Sequence, residues 1–179
     1  TDKFDSLKEG LDALVADLKE EYRVEDPGLT ITITEATADQ VYTKDLSDSV
    51  IDMVMALPDG VQYMSKDIEG LVQTSLNNAV ILEEDGKLVL TASVRSASSS
   101  SLREILNVVT VIANRMGAVA REYSGYPAWQ YEAVSPLRDI AEKIYVDMYG
   151  KEPHITSIHA GLECGLLKGI LPDTDMISY

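Results

Sequence analysis

The stretch Ile158–Leu167 reads I-H-A-G-L-E-C-G-L-L and gathers His159, Glu163, Cys164 and two glycines. Those residue types could serve a metal site, a thiol nucleophile or a ligand-lining turn. A zinc site takes three or four ligands, ordinarily His or Cys at characteristic spacing. The chain has 2 His and 1 Cys, His154 follows Pro153 in a loop, and neither a second cysteine nor an H-x-x-x-H spacing supports a metal. A Cys164 thiolate at a helix start would have a lowered pKa and could use His159 as its base. A lone cysteine among Leu and Gly is more often a small buried apolar group, and no third residue in the pattern orients the pair. Glu163, beside the free N–H groups of a helix start, can cap the helix or receive a substrate ammonium. Arg95 closes the segment T-A-S-V-R-S. Alternation from Leu88, Leu90 and Ala92 puts it on the face opposite the apolar one, either as a solvated charge or as a guanidinium offered to a ligand carboxylate. Asn77, in Q-T-S-L-N-N, lies on the neighbouring strand as its polar companion.

The elements that position these residues follow from periodicity. Phe4, Leu7, Leu11, Leu14, Val15, Leu18 and Tyr22 predict a helix over 2–22 that Pro27-Gly28 stops. Leu29, Ile31 and Ile33 alternate with threonines as in a half-buried strand. Leu46, Val50, Met53, Val54 and Leu57 form a second helical stripe, ending at the turn signal Pro58-Asp59-Gly60. Ala79–Leu82 and Leu88–Thr91 flank Asp85-Gly86, a tight hairpin. Leu102, Ile105, Leu106, Val109, Ile112, Ala113 and Met116 predict a third helix, with Ser101 and Glu104 at capping-box spacing and Gly117 closing it. Residues 119–123 can then return as a strand. Up to 125 this is an α+β layer, helices on one face of a mostly antiparallel sheet. Gly125 to Trp129 break the pattern, so a boundary is expected there, between regions 1–125 and 126–179. Ser135-Pro136 opens another helix, with Ser as the cap and Pro at the first helical position. Residues 155–159 read as a short strand, 162–170 as a short helix and 176–179 as a strand, a partial α/β segment. The apolar strand at the C-terminus and the unpreceded opening helix suggest an excised piece of a longer protein.

Composition narrows the functional class. With 179 residues and 45% hydrophobic content the chain can bury a core. A formal charge of −15 disfavours nucleic acid and anionic membrane surfaces as partners. No apolar run approaches the roughly 20 residues of a membrane span, and the N-terminus lacks a signal-peptide pattern. One cysteine cannot form an internal disulfide. A cytoplasmic setting is expected.

Taken in order, L-V-Q-T-S-L-N-N-A-V-I, S-V-R-S, Y-P-A-W-Q, S-P-L, I-H-A-G-L-E-C-G-L and D-M-I-S resemble the aminoacyl-histidine (Xaa-His) dipeptidases. These belong to the co-catalytic zinc peptidases related to carnosinase and carboxypeptidase G. The resemblance is weak over the first 60 residues and specific from Gly70 onward. It implies an α/β catalytic domain holding two zinc ions and an inserted α+β lid that forms a homodimer, with a dipeptide as substrate. The zinc ligands and the general-base glutamate of such enzymes lie outside this chain, so the resemblance implies that it is inactive alone. The family's lid arginine, which meets the substrate carboxylate, falls on Arg95, and the loop lining the substrate side of the cleft falls on Gly161 and Glu163. Asn77 stands at a family motif position. Two other classes remain open from the residues alone: a non-catalytic dimerisation module, and a cysteine hydrolase using Cys164 and His159.

Overall fold

Asp85 and Gly86 both adopt positive φ, 50° and 71°, and close a two-residue turn between the paired residues Glu84 and Lys87. Two successive left-handed residues match the right-handed twist of the flanking strands, which is why Asp-Gly suits this position. The computed structural model describes residues 3–125, 127–160 and 162–178. In chain order its elements are α1 (Phe4–Glu21), α2 (Lys44–Ala56), β1 (Gly60–Met64), β2 (Val72–Glu84), β3 (Lys87–Ser96), α3 (Ser99–Arg115), α4 (Pro136–Tyr149) and α5 (Glu163–Ile170). The sheet is antiparallel in the order β1-β2-β3. Two compact units divide the chain, Thr1–Tyr42 and Thr43–Tyr179.

In the first unit, Phe4, Leu11, Val15 and Leu18 are the partly covered residues of the α1 stripe, whereas Leu7 and Leu14 are exposed. Leu29, Ile31 and Ile33 are half-buried and the intervening threonines exposed, so the alternation predicted from sequence is present. No ladder accompanies it among the described residues.

In the second unit, the sheet separates two chemically different faces. Thr74 and Leu76 are 0% and 1% exposed, and their register partners Ser96 and Val94 share that face. Helix α3 lies against β3, and α2 against α3. Every residue of the α3 stripe from Leu102 to Met116 is at least half-buried, with Ile105 and Ala113 fully so. Leu57 completes this small core. A register shift between Asn78 and Val80 leaves Ala79 unpaired. Such a bulge re-aims the strand, and here the chain is pinned by Asn78, whose N–H donates to Asp59 Oδ1 (2.8 Å) and whose amide Nδ2 donates to the Pro58 carbonyl (3.0 Å).

Two helix ends follow their sequence signals closely. Gly117 (φ 76°) ends α3, with Ala118 N–H donating to Ala113 O (2.9 Å) and Gly117 N–H to Asn114 O (3.3 Å), the paired bonds of a Schellman motif. Helix α4 starts at Ser135-Pro136, and Ser135 Oγ accepts from Arg138 N–H at 3.1 Å. The start of α3 differs from expectation. Ser98 caps it, accepting from Ser101 N–H, and Glu104 instead accepts from the Tyr63 hydroxyl at 3.1 Å. In a run of serines several residues can cap, and the helix begins at the first that the exit from β3 allows.

Residues 119–123, 155–159 and 176–178 are not strands, and Tyr179 lies outside the described residues. Their apolar patterns are those of strands, but a strand exists only through a neighbour that takes its N–H and C=O groups. No such neighbour is present among the described residues. Sequence reading also passed over β1, whose five residues G-V-Q-Y-M follow the Pro-Asp-Gly turn directly.

The C-terminal part is tied together by polar contacts. The Asp175 carboxylate accepts from Ser135 Oγ (2.7 Å) and from Leu137 N–H (2.8 Å), so it caps α4 from 40 residues downstream of the Ser135 cap. Lys168 Nζ pairs with Glu132 (2.5 Å) and donates to Thr174 O (2.8 Å). Arg138 donates to the Glu132 and Ala133 carbonyls at 2.9 and 2.8 Å. The backbone and side-chain hydrogen bonds hold Asp175 below its usual pKa. A depressed carboxylate stabilises the fold fully above its unfolded pKa, and that contribution is lost as pH falls through the folded value. Ser135→Ala is expected to cost about 1–2 kcal/mol, the upper range for a cap, because Ser135 is buried. Asp175→Asn should flatten the acid limb of the stability profile. Urea melts from neutral to acid pH check both, and a profile unchanged in Asp175→Asn would contradict this account.

Candidate functional site

The sheet face opposite Leu76 is polar. Ser75 pairs with Arg95 and Asn77 with Ser93, and residues directly opposed in a ladder share a face. Ser75, Asn77, Ser93 and Arg95 therefore form one patch, with Arg95 and Asn77 exposed. Within the described residues Arg95 takes part in neither a side-chain hydrogen bond nor an ion pair. A guanidinium left in this way presents its full fork of donors, the arrangement that meets a carboxylate in bidentate fashion. Of the asparagine pair, Asn78 is held by its N–H and Nδ2 contacts to Asp59 and Pro58, its buried Oδ1 having no partner among the described residues, and Asn77 stays on the open face.

A second segment reaches this patch from far along the chain. His159 Nε2 is 2.7 Å from Ser75 Oγ, a hydrogen bond between residues 84 apart. The imidazole is half-buried, and its pKa is lowered first by that burial and then by the Arg95 charge nearby. Both effects penalise the imidazolium, so at neutral pH the ring is neutral and can pair with the Ser75 hydroxyl. Four residues on, Glu163 opens α5, exposed in its first turn; Leu162 stands at the cap position and supplies no side-chain hydrogen bond. Gly161 lies outside the described residues. The candidate site thus joins the sheet face carrying Arg95 and Asn77 to His159, which contacts that face through Ser75 and precedes Glu163 by four residues in the chain.

Gly165 explains the close seating of α5. A Cβ there would stand 3.1 Å from the Pro127 carbonyl oxygen and 3.4 Å from Trp129 Cβ, so the absence of a side chain lets the helix approach the 127–129 backbone. Cys164 is tied elsewhere, its Sγ donating to Ile177 O at 3.7 Å. With His159 engaged by Ser75 and Cys164 by Ile177, the geometry is not that of a nucleophile and its base. Among the described residues no three His, Cys, Asp or Glu side chains converge as a metal ion would require. No helix of the described residues is long and apolar enough to cross a membrane.

A groove of about 610 Å³ runs between β1, the start of α3 and Gln130-Tyr131, lined by Tyr63, Gln73, Ser98 and Glu104 among others. It includes neither Arg95, Asn77 nor Glu163, and the Glu104 carboxylate in its lining is already engaged by the Tyr63 hydroxyl.

Sequence reasoning singled out Arg95, Asn77 and Glu163 but assigned His159 only to metal or thiol chemistry and did not consider Ser75. The signal for Ser75 was its place in Q-T-S-L-N-N, two residues before Asn77 and so on the same face. Its bond to His159 is non-local and has no sequence signature.

No family model matches the chain. It is 32% identical over 178 residues to the cytosol non-specific dipeptidase of Escherichia coli K12, covering 99% of this chain and 37% of that protein. The crystal structure of aminoacylhistidine dipeptidase from Vibrio alginolyticus superposes with a TM-score of 0.88 at 35% identity, covering 99% of this chain and 36% of that one. The chain thus spans little more than a third of the length of these relatives. Over nearly all of its own length it is a homologue of part of a dipeptidase, as the resemblance in its motifs implies.

Proposed function

We propose that this chain is the substrate-gripping part of a cytoplasmic metal-dependent dipeptidase that cleaves Xaa-His and other short dipeptides. In this reading residues 1–125 belong to the lid, which also mediates a homodimer, and residues 126–179 to the catalytic domain. Arg95 receives the substrate carboxylate through a bidentate contact, Asn77 adds a polar contact on the same face, and Gly161 and Glu163 line the cleft from the other side. Glu163, exposed at the start of α5, can take the substrate ammonium. One observation supports the reading: the His159–Ser75 bond brings His159, four residues before Glu163 in the chain, onto the polar sheet face beside the cross-strand partner of the unpaired Arg95. The chain around them is matched over 99% of its length by dipeptidases. The name of the Escherichia coli relative, a cytosol dipeptidase, supports the compartment.

In this reading the two zinc ions that the resemblance implies take their ligands from the rest of the parent protein. No bond-breaking step is assigned to the residues of this chain; their work is to bind and orient. The chain by itself is accordingly expected to show no dipeptidase activity with added zinc, cobalt or manganese, while the full-length protein turns over alanyl-histidine. Metal-dependent turnover by the isolated chain at a rate comparable to the full-length protein would sink the proposal.

A further inference from the structure

Carboxylate binding by Arg95 and cleft lining by Glu163 leave His159 unexplained, although it joins the two halves of the site. We propose that His159 is a positioning residue. By bonding Ser75, the cross-strand partner of Arg95, it holds the segment that runs into Glu163 over the polar sheet face, at a fixed separation from the guanidinium. The inference rests on the reading of Arg95 as the carboxylate contact.

Three features converge on it. The bond is short, 2.7 Å, and links residues 84 apart, so it fixes a relationship that chain connectivity does not. Its sheet end is directly opposite Arg95 in the ladder, so a segment fastened at Ser75 is fastened relative to the guanidinium as well. The imidazole is also kept neutral by burial and by Arg95. A neutral ring can bond a hydroxyl without adding a second cation that would compete with Arg95 for an anionic group. Glu163 lies four residues beyond His159, so even a fully extended link keeps it within about 14 Å of the tether. A dipeptide carries a carboxylate and an ammonium a few ångströms apart, and a site for it must fix the separation of the two groups that meet them.

The test is a double-mutant cycle in the full-length enzyme, with Ser75→Ala, His159→Ala, the double variant and His159→Gln, whose amide reaches about as far as Nε2. With alanyl-histidine as substrate, each alanine variant should lower kcat/KM by roughly 3- to 10-fold, the effect of one hydrogen bond, chiefly by raising KM. The double variant should lose no more than either single one, and His159→Gln should recover most of the loss. Additive losses, or lowered melting temperatures with KM unchanged, would overturn the proposal and leave His159 a packing residue. Assaying Arg95→Ala on alanyl-histidine and on its C-terminal amide keeps the two readings apart. An equal loss on both substrates refutes the carboxylate role of Arg95, whatever the cycle between Ser75 and His159 returns.

Discussion

Replacing Arg95 by alanine in the full-length protein should lower kcat/KM for dipeptides roughly 30- to 1,000-fold, about 2–4 kcal/mol of lost transition-state stabilisation. The size follows from what a closed cleft does to a carboxylate. In water the substrate's terminal carboxylate is well solvated, and a single exposed ion pair contributes little. Once that carboxylate is enclosed, losing the bidentate guanidinium leaves a buried charge unmatched, and the cost rises to that of an orphaned ion. Arg95 stands directly across from Ser75 and diagonal to Asn77, and the positions around it in the ladder, Ser75, Asn77 and Ser93, are all uncharged, so no cation among them can substitute. Arg95→Lys should restore only part of the loss, because an ammonium is a point charge without the planar fork. Steady-state kinetics on a free dipeptide and on its amide measure the effect, and an unchanged kcat/KM in Arg95→Ala would reduce the residue to a surface charge.

Much of this site was legible in the sequence because local rules decide it. Asp85-Gly86 sets the hairpin, the hairpin sets the register, and the alternation from Leu88 to Arg95 then assigns the arginine to the face opposite Leu76 and Val94. The caps at Ser135 and Gly117 are likewise local. What was missed is non-local or degenerate. Ser98 rather than Ser101 starts α3 because a serine run offers several caps at nearly equal cost. Asp175 caps a helix that begins about 40 residues earlier, and Ser75 meets His159 across 84. The periods that predicted strands at 29–33, 119–123 and 155–159 describe side-chain chemistry, whereas a ladder depends on a partner that the period cannot name.

The same logic bears on α4, whose apolar stripe faces outward. Leu137, Ile140, Ile144 and Met148 are 41%, 57%, 51% and 68% exposed, while Arg138, Ala141, Glu142, Tyr145 and Val146 are partly covered. A helix normally buries its apolar stripe, and an exposed row of this kind marks a surface meant for a partner element. The relatives are almost three times as long as this chain, judged by the 36–37% of their length that it spans. In the proposed parent the remainder of the α/β catalytic domain supplies that cover. Ile144→Asp should therefore change the stability of the isolated chain by no more than about 0.5 kcal/mol, the usual range for an exposed position. In the full-length protein it should cost upward of about 3 kcal/mol, since it forces an unpaired carboxylate into an apolar contact. Denaturant unfolding of both forms, followed by far-ultraviolet circular dichroism, makes the comparison. Equal, small effects in the two would mean that the α4 stripe stays in water in the parent as well, and that the segment after Ser135 does not pack there as part of a catalytic domain.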